Sequence, residues 1–160
     1  MASDPFDFSD VFTQIEKEID ELMAMPVTKE ALQNCIVKSV NENVYPFYGH
    51  SEEDNSPRHY HRRYENGGLG DPSNYEVASG HLTMEVTNNT TGNGSQPGES
   101  WTSGPINDII ETGLGYGWKH SQIYMDETPR PFMSHGVDEF VDDFLIPMIE
   151  IKCFGQEGGG

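Results

Sequence analysis

Three arginines within six residues are the part of this sequence best suited to contact chemistry. Arg58, Arg62 and Arg63 alternate with Tyr60 and Tyr64, and they make up a third of the nine lysines and arginines in the chain. Guanidinium groups interleaved with aromatic rings can bind nucleic acid through phosphate contacts and base stacking. The same groups can also pair with carboxylates of this chain or of a neighbour, and the acidity of the chain favours this second interpretation. We therefore interpret the segment as a device for protein contact.

Side chains that could support catalysis or bind a metal are scattered. His59 and His61 would share one face of an extended strand, but no cysteine or carboxylate stands at ligand spacing to complete a metal site. Cys35 and Cys153 lie far apart and fit neither a CxxC nor a Cys-His pattern, so we expect reduced thiols packed as small hydrophobic groups. Neighbouring acids fall on a polar helix face or in a charged loop. We expect no enzyme, no catalytic residues, no cofactor and no metal.

The composition describes one acidic domain with a modest core. The chain has 160 residues, 34% of them hydrophobic, and a net charge of -18. Such a charge repels nucleic acid phosphates and anionic membranes, and it favours an assembly partner that relieves the self-repulsion. No segment approaches the ~20 apolar residues that cross a bilayer, and the acidic first ten residues do not resemble a secretory signal. We expect synthesis in the cytoplasm of a host cell and no membrane contact.

Two helices are predicted at the N-terminus. Ser9 or Asp10 can cap the first helix, and Pro26 ends it. Its apolar positions recur every three or four residues and are Val11, Phe12, Ile15, Ile19, Leu22 and Met23. Thr28 can cap a second helix, which stops before Tyr45. The two helices need a short joint between them.

The middle of the chain predicts an arm, a strand and a loop. Residues 48–75 lack periodicity and are interpreted as an extended arm with a glycine-rich turn. In residues 76–87, Leu82, Met84 and Val86 alternate with polar residues, which predicts a half-buried strand. Residues 88–104 are rich in Asn, Thr, Gly and Ser and predict a flexible polar loop.

The last element is predicted as a long helix that starts near Ser134. Its apolar stripe comprises Met133, Val137, Phe140, Val141, Phe144, Leu145, Met148 and Ile149. Pro147 would interrupt the helix, and the alternation of Ile149, Ile151 and Cys153 with charged residues favours a strand over 148–154 instead of a kinked helix. Residues 155–160 are expected to be disordered, so that a single domain covers residues 1–154.

Two runs of residues resemble a known family. The first contains Tyr60, Arg62, Arg63 and Tyr64, followed by Gly67-Gly68-Leu69, Asp71 and Asn74, and it resembles the Y-x-R-R-(x)-G-G-L-x-D-x-x-N pattern of minor structural proteins of tailed phages. The second, Glu111-Thr112-Gly113 to Gly115 and then Arg130-Pro131-Phe132, resembles the E-x-G-x-G and R-P-F segments of the phage tail-completion and neck protein family. The similarity extends over about residues 44–149.

This resemblance implies an α+β fold, with N-terminal helices and a long C-terminal helix packed on a small antiparallel sheet. It also implies a structural virion protein at the head-tail joint, without enzyme activity. The implied partners are further copies of the chain in a ring of six or twelve, the connector or head-closure protein on one side, and the tail tube or tail terminator on the other. Genome DNA would pass through the acidic lumen without specific binding.

The resemblance also suggests which residues form the subunit interface. Glu111 and Arg130 suit a charge-assisted bond, within or between subunits, that fixes the glycine-rich turn, while Phe132 anchors the last helix. The predicted interface residues are Arg58, Tyr60, Arg62, Arg63, Tyr64, Glu111, Arg130 and Phe132. An alternative function remains open, because a small chain of charge -18 could act as a DNA-mimicking or regulatory phage protein that occupies a basic site on a host or phage protein.

Overall fold

A computed structural model of the chain describes residues 8–46, 67–96, 99–105, 110–112 and 129–155. Much of the predicted arm and the glycine-rich tail after residue 155 lie outside these residues. The helices and strands, in chain order, are α1 (Ser9–Ala24), α2 (Pro26–Asn43), β1 (Tyr75–Gly80), β2 (Thr83–Asn88), β3 (Thr91–Gln96), β4 (Glu99–Pro105), α3 (Phe132–Phe140) and α4 (Ile146–Phe154). Strand β1 pairs with β2 and β3 pairs with β4, both antiparallel. This combination confirms the predicted α+β class.

The two N-terminal helices follow each other with a single residue between them. Met25 is extended, with ψ of 136°, and Pro26 occupies the first position of α2. Proline suits that position because its missing N–H has no partner there in any case. The predicted cap at Thr28 is therefore wrong, since Thr28 lies inside α2 and is buried. The predicted end of α2 before Tyr45 is confirmed.

The strand predicted over 76–87 is a hairpin of two strands. Met84 and Val86 face the core and the residues between them are exposed, as the alternation predicts. Leu82, in contrast, is 43% exposed in the two-residue turn between β1 and β2, where it adopts a left-handed backbone with φ of 51°. Its placement in the core face was wrong, because the chain reverses at His81 and Leu82 before the second strand begins.

The structure also differs from the sequence prediction at residues 88–104. Strands β3 and β4 pair along this polar stretch, with a register irregularity between Thr91 and Gly92. Backbone hydrogen bonds across a hairpin need no apolar side chains, so the composition alone favours a loop here.

The C-terminal element is helical up to Phe154, and the predicted strand over 148–154 is wrong. Residues Val141–Leu145 form a π-helical segment between α3 and α4. Pro147 lacks an N–H and would clash with the carbonyl four residues before it in a regular helix. A π-helical turn directly before the proline changes the hydrogen-bond spacing and lets the helix continue. Lys152 near the end of α4 lies 3.6 Å from Glu21 of α1, which places the two helices side by side.

The core forms where α3 packs on α2. Buried apolar residues from α2, β1 and α3 make one cluster, which includes Ile36, Val40, Tyr75, Phe132 and Phe140. A Cβ atom added to Gly136 would lie 2.6 Å from the Cα of Ile36, so the two helix backbones are in direct contact. Within the described residues, no helix combines the length and the apolar character that crossing a membrane requires.

Replacing Gly136 with alanine tests this helix contact. Because the new methyl group would overlap backbone atoms of Ile36, G136A should lower the free energy of unfolding by about 1–3 kcal/mol in urea denaturation. Gly155 is the matched control, since a Cβ there meets its nearest neighbour at an ordinary 3.7 Å and G155A should change stability by less than about 0.5 kcal/mol. Equal stability of the two variants would contradict the close crossing of α2 and α3.

Candidate assembly site

The two ends of segment 47–66, which carries the arginine-tyrosine run, are joined at one point. The backbone N–H of Gly70 donates a hydrogen bond of 2.7 Å to the hydroxyl oxygen of Tyr45, directly after α2. The residues before and after the segment are therefore neighbours in space. We call residues 67–74, together with Tyr45 and Tyr75, the arm base.

Asp71 organises the turn inside the arm base. One carboxylate oxygen accepts the N–H of Gly67 at 2.7 Å, and the other accepts the N–H and the hydroxyl of Ser73 at 2.9 and 2.6 Å. The bonds from Ser73, followed by that from Gly67, hold the pKa of Asp71 below its ordinary value of 3.8. Gly67 has φ of 82°, a left-handed conformation that glycine adopts without a Cβ penalty. The turn is thus fixed by a charged acceptor with three donors.

Two further side chains tie this turn to the domain. The amide of Asn74 donates to the carbonyl of Gly68 at 2.9 Å, and the hydroxyl of Tyr75 donates to the carbonyl of Leu69 at 2.6 Å. Leu69 and Tyr75 are both buried, and burial raises the pKa of the Tyr75 hydroxyl. The G-G-L-x-D-x-x-N part of the sequence pattern is therefore a turn that backbone acceptors and buried side chains hold against the domain.

Glu111 binds the first turn of α3. Its carboxylate accepts the N–H of Met133 at 2.9 Å on one oxygen, and the N–H and hydroxyl of Ser134 at 3.2 and 2.8 Å on the other. The N–H groups at a helix start have no partners within the helix, and a negative charge there also interacts favourably with the helix dipole. Glu111 is therefore a cap that comes from outside the local sequence.

The other two described residues of the predicted interface lie beside this cap. The N–H of Arg130 donates to the carbonyl of Ile110 at 2.9 Å, which brings Arg130 next to Glu111 along the backbone. The predicted bond between the two side chains stays a prediction. Phe132 is completely buried in the core of this chain, and its predicted role at a subunit interface stays a prediction.

The remaining predicted interface residues fall outside the described residues. These are Arg58, Tyr60, Arg62, Arg63 and Tyr64, and their contacts stay predictions. The arm base begins close to them in sequence, because only two residues separate Tyr64 from Gly67.

A link between α1 and the first hairpin escaped the sequence analysis. Asp20 accepts the N–H of Leu82 at 2.7 Å on one oxygen, and its other oxygen lies 2.8 Å from Nδ1 of His81. The bonds from Leu82 and His81 lower the pKa of Asp20, and the bond to Asp20 raises the pKa of His81. The signal in the sequence was Gly80, which ends β1 directly before the turn and interrupts an apparently continuous strand.

An open groove of about 540 Å³ runs between α2 and the π-helical segment, and the ion pair between Lys38 and Glu139, at 2.5 Å, crosses one part of it. Among the described residues, no three His, Cys, Asp or Glu side chains are grouped as a metal site would require.

Comparison with known protein families identifies a match over most of the chain. A family model described as YomN, a Bacillus phage-type gene product, matches residues 7–149, which is well over half of the chain. No curated protein and no solved structure matches the chain.

Substitution of Glu111 tests its role as a cap. E111Q removes the charge and replaces one acceptor by an amide N–H, so the free energy of unfolding should fall by about 1–2 kcal/mol. Amide hydrogen exchange at Met133 and Ser134 should become faster at the same time. E76Q changes an exposed acid on β1 and is the control that should leave both quantities unchanged. Unchanged exchange at the start of α3 in E111Q would contradict the cap.

The pair of Asp20 and His81 should make the hairpin turn sensitive to pH. Because the pKa of His81 is raised in the folded protein, its protonated ring stabilises the turn fully at pH values below its ordinary pKa of 6.5. This stabilisation is lost as the pH rises through the pKa of His81 in the folded protein. Because the pKa of Asp20 is lowered in the folded protein, its ionised carboxylate stabilises the turn fully at pH values above its ordinary pKa of 3.8. This stabilisation is lost as the pH falls through the pKa of Asp20 in the folded protein. The protection of the Leu82 amide against hydrogen exchange should therefore be highest between pH 3.8 and pH 6.5, where both groups are charged.

NMR titration provides the direct measurement of this link. In D20N the pKa of His81 should fall toward its ordinary value, whereas D10N, which replaces an exposed acid at the start of α1, should leave it raised. A His81 pKa that is the same in the wild type and in D20N would show that the two side chains do not interact in solution.

Proposed function

The chain belongs to the YomN family, and from this premise we propose that it is a structural virion protein of a tailed phage, located at the head-tail joint. Family membership indicates a phage-encoded protein. The finer assignment, a tail-completion or neck subunit that forms a ring between the connector and the tail tube, is our proposal.

The observation that carries this proposal is the arm base. Tyr45 and Gly70 clamp the two ends of a segment that concentrates a third of the cations in an acidic chain. Asp71, Asn74 and Tyr75 then hold the turn with hydrogen bonds from 2.6 to 2.9 Å. A domain that holds the two ends of a segment containing the cationic, aromatic run of residues 58–64 is suited to contact an acidic neighbour, and each further copy of this chain is such a neighbour.

A ring of such subunits requires a heterologous interface that closes on itself. The run of residues 58–64 would supply the cationic half of this interface, and the acidic body would supply the other half. Carboxylates that remain uncovered on the lumen side would repel the genome phosphates, so DNA could pass without being bound. The neighbours in the virion would be the connector or head-closure protein and the tail tube or tail terminator.

Cryo-electron microscopy of purified virions, combined with peptide mass spectrometry, tests the location. We expect density for this fold in a ring between head and tail, and peptides of the chain at six or twelve copies per virion. A phage that lacks the gene should accumulate filled heads and separate tails, and the wild-type gene supplied in trans should rejoin them. Absence of the chain from purified virions would contradict the proposal.

Charge-matched variants test whether the arginines of the arm are required for the joining of heads and tails. R62E with R63E changes the net charge by the same amount as K29E with K119E, so general electrostatic effects are equal in the two variants. Only the arm variant should block the joining of heads and tails, while circular dichroism shows that both variants fold. Loss of joining in both variants would assign the effect to overall charge and not to the arm.

A further inference from the structure

The open groove beside α2 is lined by two rows of side chains from that helix. The rows repeat every four residues, one being the apolar row Val27, Ala31 and Cys35 and the other the polar row Glu30, Asn34 and Lys38. Glu139 of α3 and Phe144 of the π-helical segment line the opposite side. We call this space the α2 groove.

The dimensions and walls of the α2 groove suit a helix. From Val27 to Lys38, α2 rises about 17 Å, which is the length of about three helical turns. Both walls are helical, so their backbone groups are already bonded within the helices, and an extended peptide would leave its own N–H and C=O groups without partners here. A helix satisfies those groups internally, and an amphipathic helix can lay its apolar face into such a groove.

The π-helical segment explains why an aromatic ring stands in this groove. Phe140 is buried in the core, and in a regular α-helix Phe144, four residues later, would lie on the same face. The wider π-helical turn moves that place on by one residue, so that Leu145 packs against the core cluster. Phe144 is thereby turned out of the core, and it is 43% exposed.

Apolar surface is therefore present on both sides of the α2 groove. Val27 is 54% exposed and stands across from Phe144. Cys35 lines the same groove but is buried as part of the core cluster, so the deep part of the groove is continuous with the core. An apolar side chain inserted here would cover Val27 and Phe144, and the removal of this surface from water favours association.

The rim of the α2 groove is acidic. The hydrogen bond to Glu139 raises the pKa of Lys38, and the nearby charges of Glu42 and Asp143 raise it further. The amine of Lys38 is already paired with Glu139 at 2.5 Å. Glu30, Glu42 and Asp143 are exposed and can pair with cations of an occupant. An occupant should therefore carry lysine or arginine beside its apolar side chains.

This charge pattern disfavours a second copy of the chain as the occupant. Two described helices expose apolar side chains, namely Val11 and Phe12 on α1 and Ile151 and Phe154 on α4. The lysines of these helices already face the carboxylate of Glu21, at 3.9 Å from Lys17 and 3.6 Å from Lys152. Helix α1 also carries five acids, which the rim would repel. A basic helix of another protein has the opposite charge.

From this complementarity we propose that the α2 groove binds an amphipathic helix of a different protein. The helix is about three turns long, places apolar side chains between Val27 and Phe144, and sets lysines or arginines against the acidic rim. This inference goes beyond the proposed ring and does not depend on it, because the ring contact joins copies of this chain through residues 58–64.

A synthetic helix tests whether the groove recognises this chemistry. The probe is a peptide of about 14 residues, nearly four turns, with leucines along one face and lysines on its flanks. One control peptide has the same composition in scrambled order, and the other has glutamate in place of every lysine. The first peptide should bind the full-length protein at least tenfold more tightly than either control, with NMR shift changes concentrated in residues 27–38 and 139–144. Equal affinity for the scrambled peptide, or shift changes elsewhere, would overturn the inference.

Substitutions at exposed positions locate the binding. V27S should weaken binding of the lysine peptide at least fivefold, whereas F154S, at a side chain 65% exposed on α4, should leave it unchanged. E30Q should weaken binding about threefold, and E150Q, which also neutralises an exposed acid, should have no effect. Circular dichroism shows that the four variants fold. Equal effects of V27S and F154S would contradict binding in the α2 groove.

Photocrosslinking in phage-producing cells tests the natural partner. The full-length chain carries p-benzoylphenylalanine in place of Val27, or in place of Phe154 as the matched control. We expect an adduct from position 27 to a different protein, through a peptide with apolar residues at three- and four-residue spacing and lysines or arginines beside them. Adducts to further copies of this chain, adducts to peptides without that pattern, or no adduct would each overturn the inference. Detection of the chain in purified virions is measured separately, so the two proposals can fail independently.

Discussion

The contact between α2 and α3 is the constraint on which the other elements depend. Gly136 allows these helices to approach until a Cβ would lie 2.6 Å from the Cα of Ile36. Phe132 and Phe140 fill the space on either side, and Glu111 fixes the start of α3. The end of α2 carries the arm base, and the continuation of α3 places α4 against α1. A change in the spacing of this pair would therefore move both the arm base and α4.

Helical periodicity made the helices predictable, because an amphipathic stripe is a local property of the sequence. The strand expected at 148–154 failed because Ile149, Ile151 and Cys153 alternate by two, and Pro147 seemed to exclude a continuing helix. The π-helical turn that accommodates the proline leaves no comparable trace in composition. Strands β3 and β4 were missed for a related reason, since their pairing is a backbone interaction between residues with little apolar character.

The site could be predicted only in part. The glycine-rich turn with Asp71 follows known turn chemistry, so its position was accessible from sequence. Glu111 caps a helix that begins more than twenty residues later, and Asp20 binds a turn 61 and 62 residues away, so no local spacing indicates either contact. The stripe of α1 correctly marked Val11 and Phe12 as apolar, but whether such a stripe is covered depends on where other elements end.

The bond between Tyr45 and Gly70 also affects how this protein can change over evolutionary time. It closes the segment 47–66 into a loop whose ends are held by the domain itself. The entropy of closing a loop rises slowly with its length, by about 0.6 kcal/mol for each doubling. Insertions, deletions and exchanges of residues within that loop therefore cost the domain little stability. The rest of the domain can therefore keep its structure while this segment changes in length or sequence.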